Sequence, residues 1–241
     1  MYVSHESPIS FLEESRSYND YDYALVHLFE THPKYYQFFK DSIKLGRQVL
    51  LDNSIFELGE SFDPEKFAKY AKELKPSFYI VPDVLEDGYA TIKSFIEFTN
   101  KYPDLPGLKI GAVQGKTYDE IVDCYKYMSD FADYIAISFD FSYYIITGTG
   151  KTKLERWCDG RRRLIAQLKS DGIWNKSIRS VDTSNPVVAG IKELRYNGDL
   201  GLTEKPSIML ADLIDHEVTD TEQENINYNV NQFKSIISHG Y

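Results

Sequence analysis

Short apolar runs alternate with longer amphipathic segments along most of the chain, and this alternation constrains the fold more than any other feature. The runs are Ala24–Leu28 (ALVHL), Gln48–Asp52 (QVLLD), Phe78–Asp83 (FYIVPD), Lys109–Gln114 (KIGAVQ), Tyr134–Ser138 (YIAIS), Ile178–Asp182 (IRSVD) and Ser207–Ala211 (SIMLA). Each is short and most are rich in β-branched or aromatic residues, so each reads as a strand. On this reading His27 lies within the first strand as a core histidine. The intervening segments carry helix signals. Asp63 before Pro64 is an N-cap followed by an N1 proline at the start of PEKFAKYAKEL. Thr117, with Glu120 three residues on, predicts a capping box at the start of TYDEIVDCYKYMSDF. DGYATIKSFIEFTNKY, DGRRRLIAQLKS and the C-terminal TEQENINYNVNQFKSIIS also repeat apolar positions at helical spacing.

Strand–helix alternation with near-continuous apolar strands implies a parallel sheet covered by helices. Seven or eight such units in 241 residues predict one α/β domain, residues 1–241, of the (β/α)8 TIM-barrel-like type. No glycine-rich dinucleotide fingerprint follows the first strand, which disfavours a doubly wound sheet. Between Phe139 and Lys176 only one helix and no strand is evident, so the expected barrel has one strand missing or irregular there.

Composition excludes several function classes. A net charge of −10 has the wrong sign for coating nucleic acid, so any such contact must be local. The basic stretch KTKLERWCDGRRR, with Arg161, Arg162 and Arg163, is the candidate phosphate patch. A solvated helix face accounts for it equally well. Cys124 and Cys158 lie in no CxxC and near no metal-spaced histidine, so no metal site, a structural zinc included, is expected. No apolar run is long enough to cross a bilayer, and the N-terminus lacks the order of a signal peptide. A cytoplasmic location is the expectation. GTGKT at Gly148–Thr152 mimics a phosphate loop, but the required first glycine falls on Ile145.

Polar residues gather where the predicted strands end. Asp52, Asn53 and Ser54 follow the second run, Asp83 the third, Gln114 and Gly115 the fourth, Ser138 the fifth, and Asp182 with Thr183 and Ser184 the sixth. That edge is where parallel barrels and open sheets build their sites. A single aspartate after a strand is usually a helix cap or turn former. Five strands in succession doing so suggest carboxylates that converge and divide acid from nucleophile roles.

With those residues in view, the chain resembles the tRNA-guanine transglycosylase superfamily, within it the shorter transglycosylase-like proteins of bacteriophages. Asp52-Asn53-Ser54-Ile55-Phe56-Glu57 is similar to the family's DSGGFQ-type segment, and Val113-Gln114-Gly115 matches its VQG stretch. IVPDV with Asp83 is similar to the strand bearing a substrate-binding aspartate, and Asp182 in SVDTSN falls where the late catalytic aspartate would. The family's CxCxxC zinc cluster is absent, and its glycine pair after the fifth strand is replaced by Ser138-Phe139.

The resemblance implies an enzyme that exchanges guanine in nucleic acid, DNA rather than tRNA, for a free 7-deazaguanine, with no cofactor. Asp182 would be the nucleophile, Asp52 the general acid and base, and Asp83, Gln114, Gly115, Ser138, Phe56 and Ser54 the base-binding groups. Arg161, Arg162 and Arg163 would hold flanking phosphates. Two other readings stay open: an N-glycosidase using the same carboxylates with water, and an inactive binder of nucleobase or nucleic acid.

Overall fold

The computed structural model describes residues 9–137, 142–174 and 179–181, with Ser4, Ser7 and Glu224 besides. A 3-10 turn (Ile9–Phe11) leads into α1 (Leu12–Ser15), β1 (Asp22–Leu25), α2 (Leu28–Thr31), α3 (Pro33–Lys44) and β2 (Val49–Asp52). Next come α4 (Ile55–Leu58), α5 (Pro64–Leu74), β3 (Phe78–Ile80), α6 (Gly88–Lys101) and β4 (Leu108–Val113). Then follow α7 (Tyr118–Phe131), β5 (Tyr134–Ile137), α8 (Ser142–Thr147), α9 (Lys153–Ser170) and β6 (Arg179–Val181). The protein is therefore α/β, with every described strand parallel to its neighbours and the sheet order β1-β2-β3-β4-β5-β6.

The register assigns the two faces. Ala24 pairs with Leu51 and Leu51 with Tyr79, so these buried residues share one face. Helices cover that face. Tyr79 meets Phe67 of α5, which meets Phe98 of α6, and a side chain at Gly111 would collide with Met128 of α7. The opposite face carries Tyr23, Leu50, Phe78 and Leu108 in one row, and Ile110 beside Tyr134 above it. Phe78 and Tyr134 reach across β4 to meet edge-to-face at 5.3 Å.

Caps set the helix starts largely as the sequence predicts. The Asp63 carboxylate accepts from Glu65 N and Lys66 N at 2.9 Å each, and Pro64 follows at N1. At Thr117 only half of the capping box forms. The Thr117 hydroxyl accepts from Glu120 N, but the Glu120 carboxylate takes Lys116 N at 3.0 Å and Gly88 N at 2.7 Å. Glu120 thereby ties the start of α7 to the start of α6.

Three further expectations change. The first strand runs Asp22–Leu25 rather than Ala24–Leu28, because the ladder to Val49 and Leu50 draws in Asp22 and Tyr23. The buried Asp22 carboxylate is held by Arg47 through a two-pronged contact, at 2.8 and 2.9 Å. His27 consequently sits at the N-cap of α2, outside the strand. The stretch from Phe139 to Lys176 holds two helices, α8 and α9, and no strand among the described residues. The expected strand at 207–211 and the expected C-terminal helix lie outside the described residues.

Candidate functional site

At the end of β2 the backbone turns sharply, and the turn decides where each polar side chain goes. Ser54 takes the left-handed conformation at φ 60°. Asn53 Oδ1 accepts from Ile55 N at 3.0 Å and Asp52 Oδ1 from Ser54 N at 3.1 Å, so two side chains brace the turn. Asn53 is fully buried, and with its oxygen committed its Nδ2 must donate. It does so to Val81 O at 3.1 Å and to Asp83 Oδ1 at 2.7 Å.

Asp83 lies just past β3 and is 4% exposed. Its backbone is clasped by Ser61, whose hydroxyl donates to Asp83 O at 2.6 Å and accepts from Asp83 N at 3.0 Å. The second carboxylate oxygen accepts from Gln114 Nε2, just past β4, at 2.6 Å. Gln114 is oriented in turn by Glu86 N, which donates to its Oε1 at 2.9 Å. The Asp83 carboxylate is thus held between primary amides from β2 and β4, each fixed by a backbone N–H on its oxygen. Burial pushes the Asp83 carboxyl above the ordinary carboxylate range, while the Asn53 and Gln114 bonds work the other way.

Asp52, half-buried on the same edge, accepts a hydrogen bond from the phenol of Tyr23 on β1. Glu86 also stands at this edge. Burial works to raise its carboxyl pKa, but bonds from Ser142 and the nearby Lys116 charge outweigh it and hold the carboxyl below its usual range.

The expected site residues fall into distinct groups. Asp52, Asp83 and Gln114 come together at the C-terminal ends of three adjacent strands. Phe56 stands 43% exposed on α4, beside them in sequence. Ser54 is fully buried, with its hydroxyl toward His27 N at 3.4 Å. Gly115 is buried at φ 154°, and a Cβ there would meet Ile121 N at 2.9 Å. Its lack of a side chain is what lets α7 begin close to β4. Ser138 and Asp182 lie outside the described residues; in sequence they follow the last residues of β5 and β6, Ile137 and Val181.

The arginine patch is divided. Arg161 is fully buried, so it is no surface phosphate ligand, while Arg162 and Arg163 are exposed and Arg163 is bonded to Asp159 at 2.7 Å. The helical stripe Trp157–Arg161–Leu164–Leu168, all buried, was the sequence signal for this placement. In GTGKT, the Lys151 and Thr152 N–H groups are bonded to the Glu155 carboxylate and Thr149 N to Asp159. Two acids of the following helix, α9, thus fill the cradle that a phosphate would need.

Two residues of the cluster have roles that the sequence did not predict. Asn53 reads in sequence as a turn former, and its second task shows only when β2 and β3 pair. Glu86 carries no local signal except its place in a loop after a strand. Among the described residues, no group of three or more His, Cys, Asp or Glu side chains is placed to hold a metal ion. No described helix is long and apolar enough to cross a membrane. No protein-family model matches the chain, and no curated protein is detectably similar to it.

Proposed function

We propose that the protein is a base-exchange glycosyltransferase of the tRNA-guanine transglycosylase type, replacing guanine in nucleic acid, DNA rather than tRNA, with a free 7-deazaguanine. The observation that carries this reading is the Asp83 carboxylate gripped by Asn53 and Gln114. Both amides face it as donors, which leaves the carboxylate's remaining lone pairs to accept from a further N–H donor. A guanine-type edge, with adjacent ring N–H and exocyclic amine, is the matching partner. Gln114 Nε2 has a second hydrogen that no bond among the described residues uses, suited to the O6 of the same base. Phe56, exposed on α4, is available to stack on a ring.

A closed (β/α)8 barrel is part of the proposal, supported by the strand order. Right-handed crossovers between consecutive parallel strands put every helix on one face of the sheet. The opposite face, with Tyr23, Phe78 and Tyr134 half-buried, then needs a cover, and a twisted sheet closing on itself supplies one.

In the proposed chemistry Asp182, next in sequence after β6, attacks C1′ while the C1′–N9 bond breaks. An aspartyl–sugar ester forms, and the incoming base displaces the carboxylate. Asp52 supplies a proton to the departing guanine and removes one from the incoming base. Tyr23, donating to Asp52, holds that carboxylate in place. A target in duplex must first be flipped out, at a few kcal/mol. Arg162 and Arg163 are the exposed arginines left to meet flanking phosphates.

The test is incubation of the protein with DNA or tRNA and labelled guanine or 7-deazaguanine, followed by nucleoside mass spectrometry. The expected result is incorporation by the wild type and none by Asp182→Asn with its fold intact. Exchange undiminished in that variant would remove Asp182 as nucleophile. Guanine release without incorporation would favour the glycosidase reading, and binding without chemistry the inactive one.

A further inference from the structure

We propose that Glu86 is a positioning residue, which aims Gln114 at the base and latches the start of α8 to the same edge. The inference rests on the reading of Asp83 and Gln114 as base-binding groups, and it adds a residue that reading does not contain. Glu86 holds the left-handed conformation at φ 56°, unfavourable for a side chain of its kind. That conformation is accompanied by two bonds in different directions. The backbone N–H donates to Gln114 Oε1 at 2.9 Å, and the carboxylate Oε1 accepts from Ser142 N at 2.6 Å.

The first bond decides which end of the Gln114 amide faces Asp83. A flipped amide would set Nε2 against the Glu86 N–H and Oε1 against the Asp83 carboxylate, a mismatch at both ends. The loop has little room to yield. A side chain at Gly88 would meet Gln114 O at 2.7 Å, so the segment carrying Glu86 lies directly against the end of β4. The second bond reaches across to α8, beyond β5, and the Lys116 charge nearby helps keep the Glu86 carboxyl ionised. One residue thus connects the loops after β3 and β4 with the start of α8.

The experiment is amide hydrogen exchange on the full chain, comparing wild type with Glu86→Gly, Glu86→Gln and Gln114→Ala, alongside base-exchange kinetics. Glycine favours the left-handed conformation, so Glu86→Gly keeps the backbone bond and deletes only the carboxylate. It is expected to lower protection of the Ser142 amide about tenfold or more while sparing the residue-86 amide. Glu86→Gln, which retains an acceptor, is expected to restore Ser142. Gln114→Ala is expected to expose the residue-86 amide by a similar factor. In the kinetics, Gln114→Ala should raise the KM for the free base about tenfold with kcat within about threefold, and Glu86→Gly, which keeps the backbone bond that aims Gln114, should raise it less than Gln114→Ala does.

Unchanged Ser142 protection in Glu86→Gly would refute the latch, and an equally protected residue-86 amide in Gln114→Ala would refute the aiming role. A wild-type protein that exchanges no base, yet shows both losses of protection, would overturn the base-exchange reading and leave the positioning role standing. Normal kinetics in Gln114→Ala, with exchange intact in the wild type, would overturn the role in base binding.

Discussion

Asp83 and Gln114, borne just past neighbouring strands β3 and β4, are joined by an Nε2–H···Oδ2 bond of 2.6 Å inside the protein. With the Asn53 bond on the other oxygen, the contact leaves the carboxylate ringed by donors. Bonds of this kind to a charged group contribute about 1.5–3 kcal/mol each, whereas removing a carboxylate from water costs several. The raised Asp83 pKa says that burial is the larger effect here.

Asn53 makes three bonds from full burial, so shortening it leaves Val81 O, Ile55 N and one Asp83 oxygen without their partner. Asn53→Ala is expected to destabilise the fold by about 2–4 kcal/mol. Asn53→Asp should cost at least as much at neutral pH, since it sets a second carboxylate against Asp83. Urea denaturation at pH 7 with equal m-values would measure both; a loss below about 0.5 kcal/mol would contradict the network.

Stability should also depend on pH through Asp83. Its folded pKa is raised, so the folded protein holds this proton at pH values where the unfolded chain has released it. The stabilisation from the neutral form is full below the unfolded value, about 3.9, and is lost as pH rises through the folded value. The stability of wild type relative to Asp83→Asn should therefore fall as pH rises from about 4, then level off. Denaturation midpoints across pH 4–8 for both proteins test this, and a difference that grows with pH would reverse the assignment.

The left-handed Ser54 predicts a substitution without penalty. Its hydroxyl makes only a 3.4 Å contact to His27 N, while its φ of 60° suits glycine. Ser54→Gly should be neutral or stabilising by up to about 1 kcal/mol, and Ser54→Val destabilising by about 1–2 kcal/mol. On the proposed function, base exchange should survive Ser54→Gly. A large rise in KM there would mean that the hydroxyl meets the ligand after all.

Helices α8 and α9 meet through glycine. A side chain at Gly160 would sit 2.3 Å from Tyr144 O, and one at Gly148 would sit 1.9 Å from Arg156 O. Both obstacles are backbone, which cannot swing aside. Gly160→Ala is expected to lower stability by about 2–4 kcal/mol by forcing the helices apart. Thermal unfolding within a degree of wild type would show that they have room.

Much of the fold was legible because its signals are local. The apolar runs mark β2 to β6 within a few residues, and the Asp63–Pro64 and Thr117 caps mark α5 and α7. Errors arose where a tertiary partner overrode local chemistry. Asp22 enters β1 because Arg47 neutralises it, and Glu120 leaves its own cap to reach Gly88. In the site, Asp52, Asp83 and Gln114 stood out because polar groups at strand ends are conspicuous. Asn53 was visible only as one more polar group at a strand end and Glu86 not at all, since each acts through a neighbour brought close only by folding. Arg161 was grouped by adjacency with Arg162 and Arg163, though a helix turns its first member inward while the next two face water.

The consecutive strand order has a consequence for how the protein is made. Each described strand after β1 pairs with the one emerging just before it from the ribosome. The nascent chain can therefore extend its sheet one strand–helix unit at a time, with a single crossover to close at each addition. A newly emerged strand finds its edge already waiting, and unpaired backbone is exposed only briefly while synthesis continues.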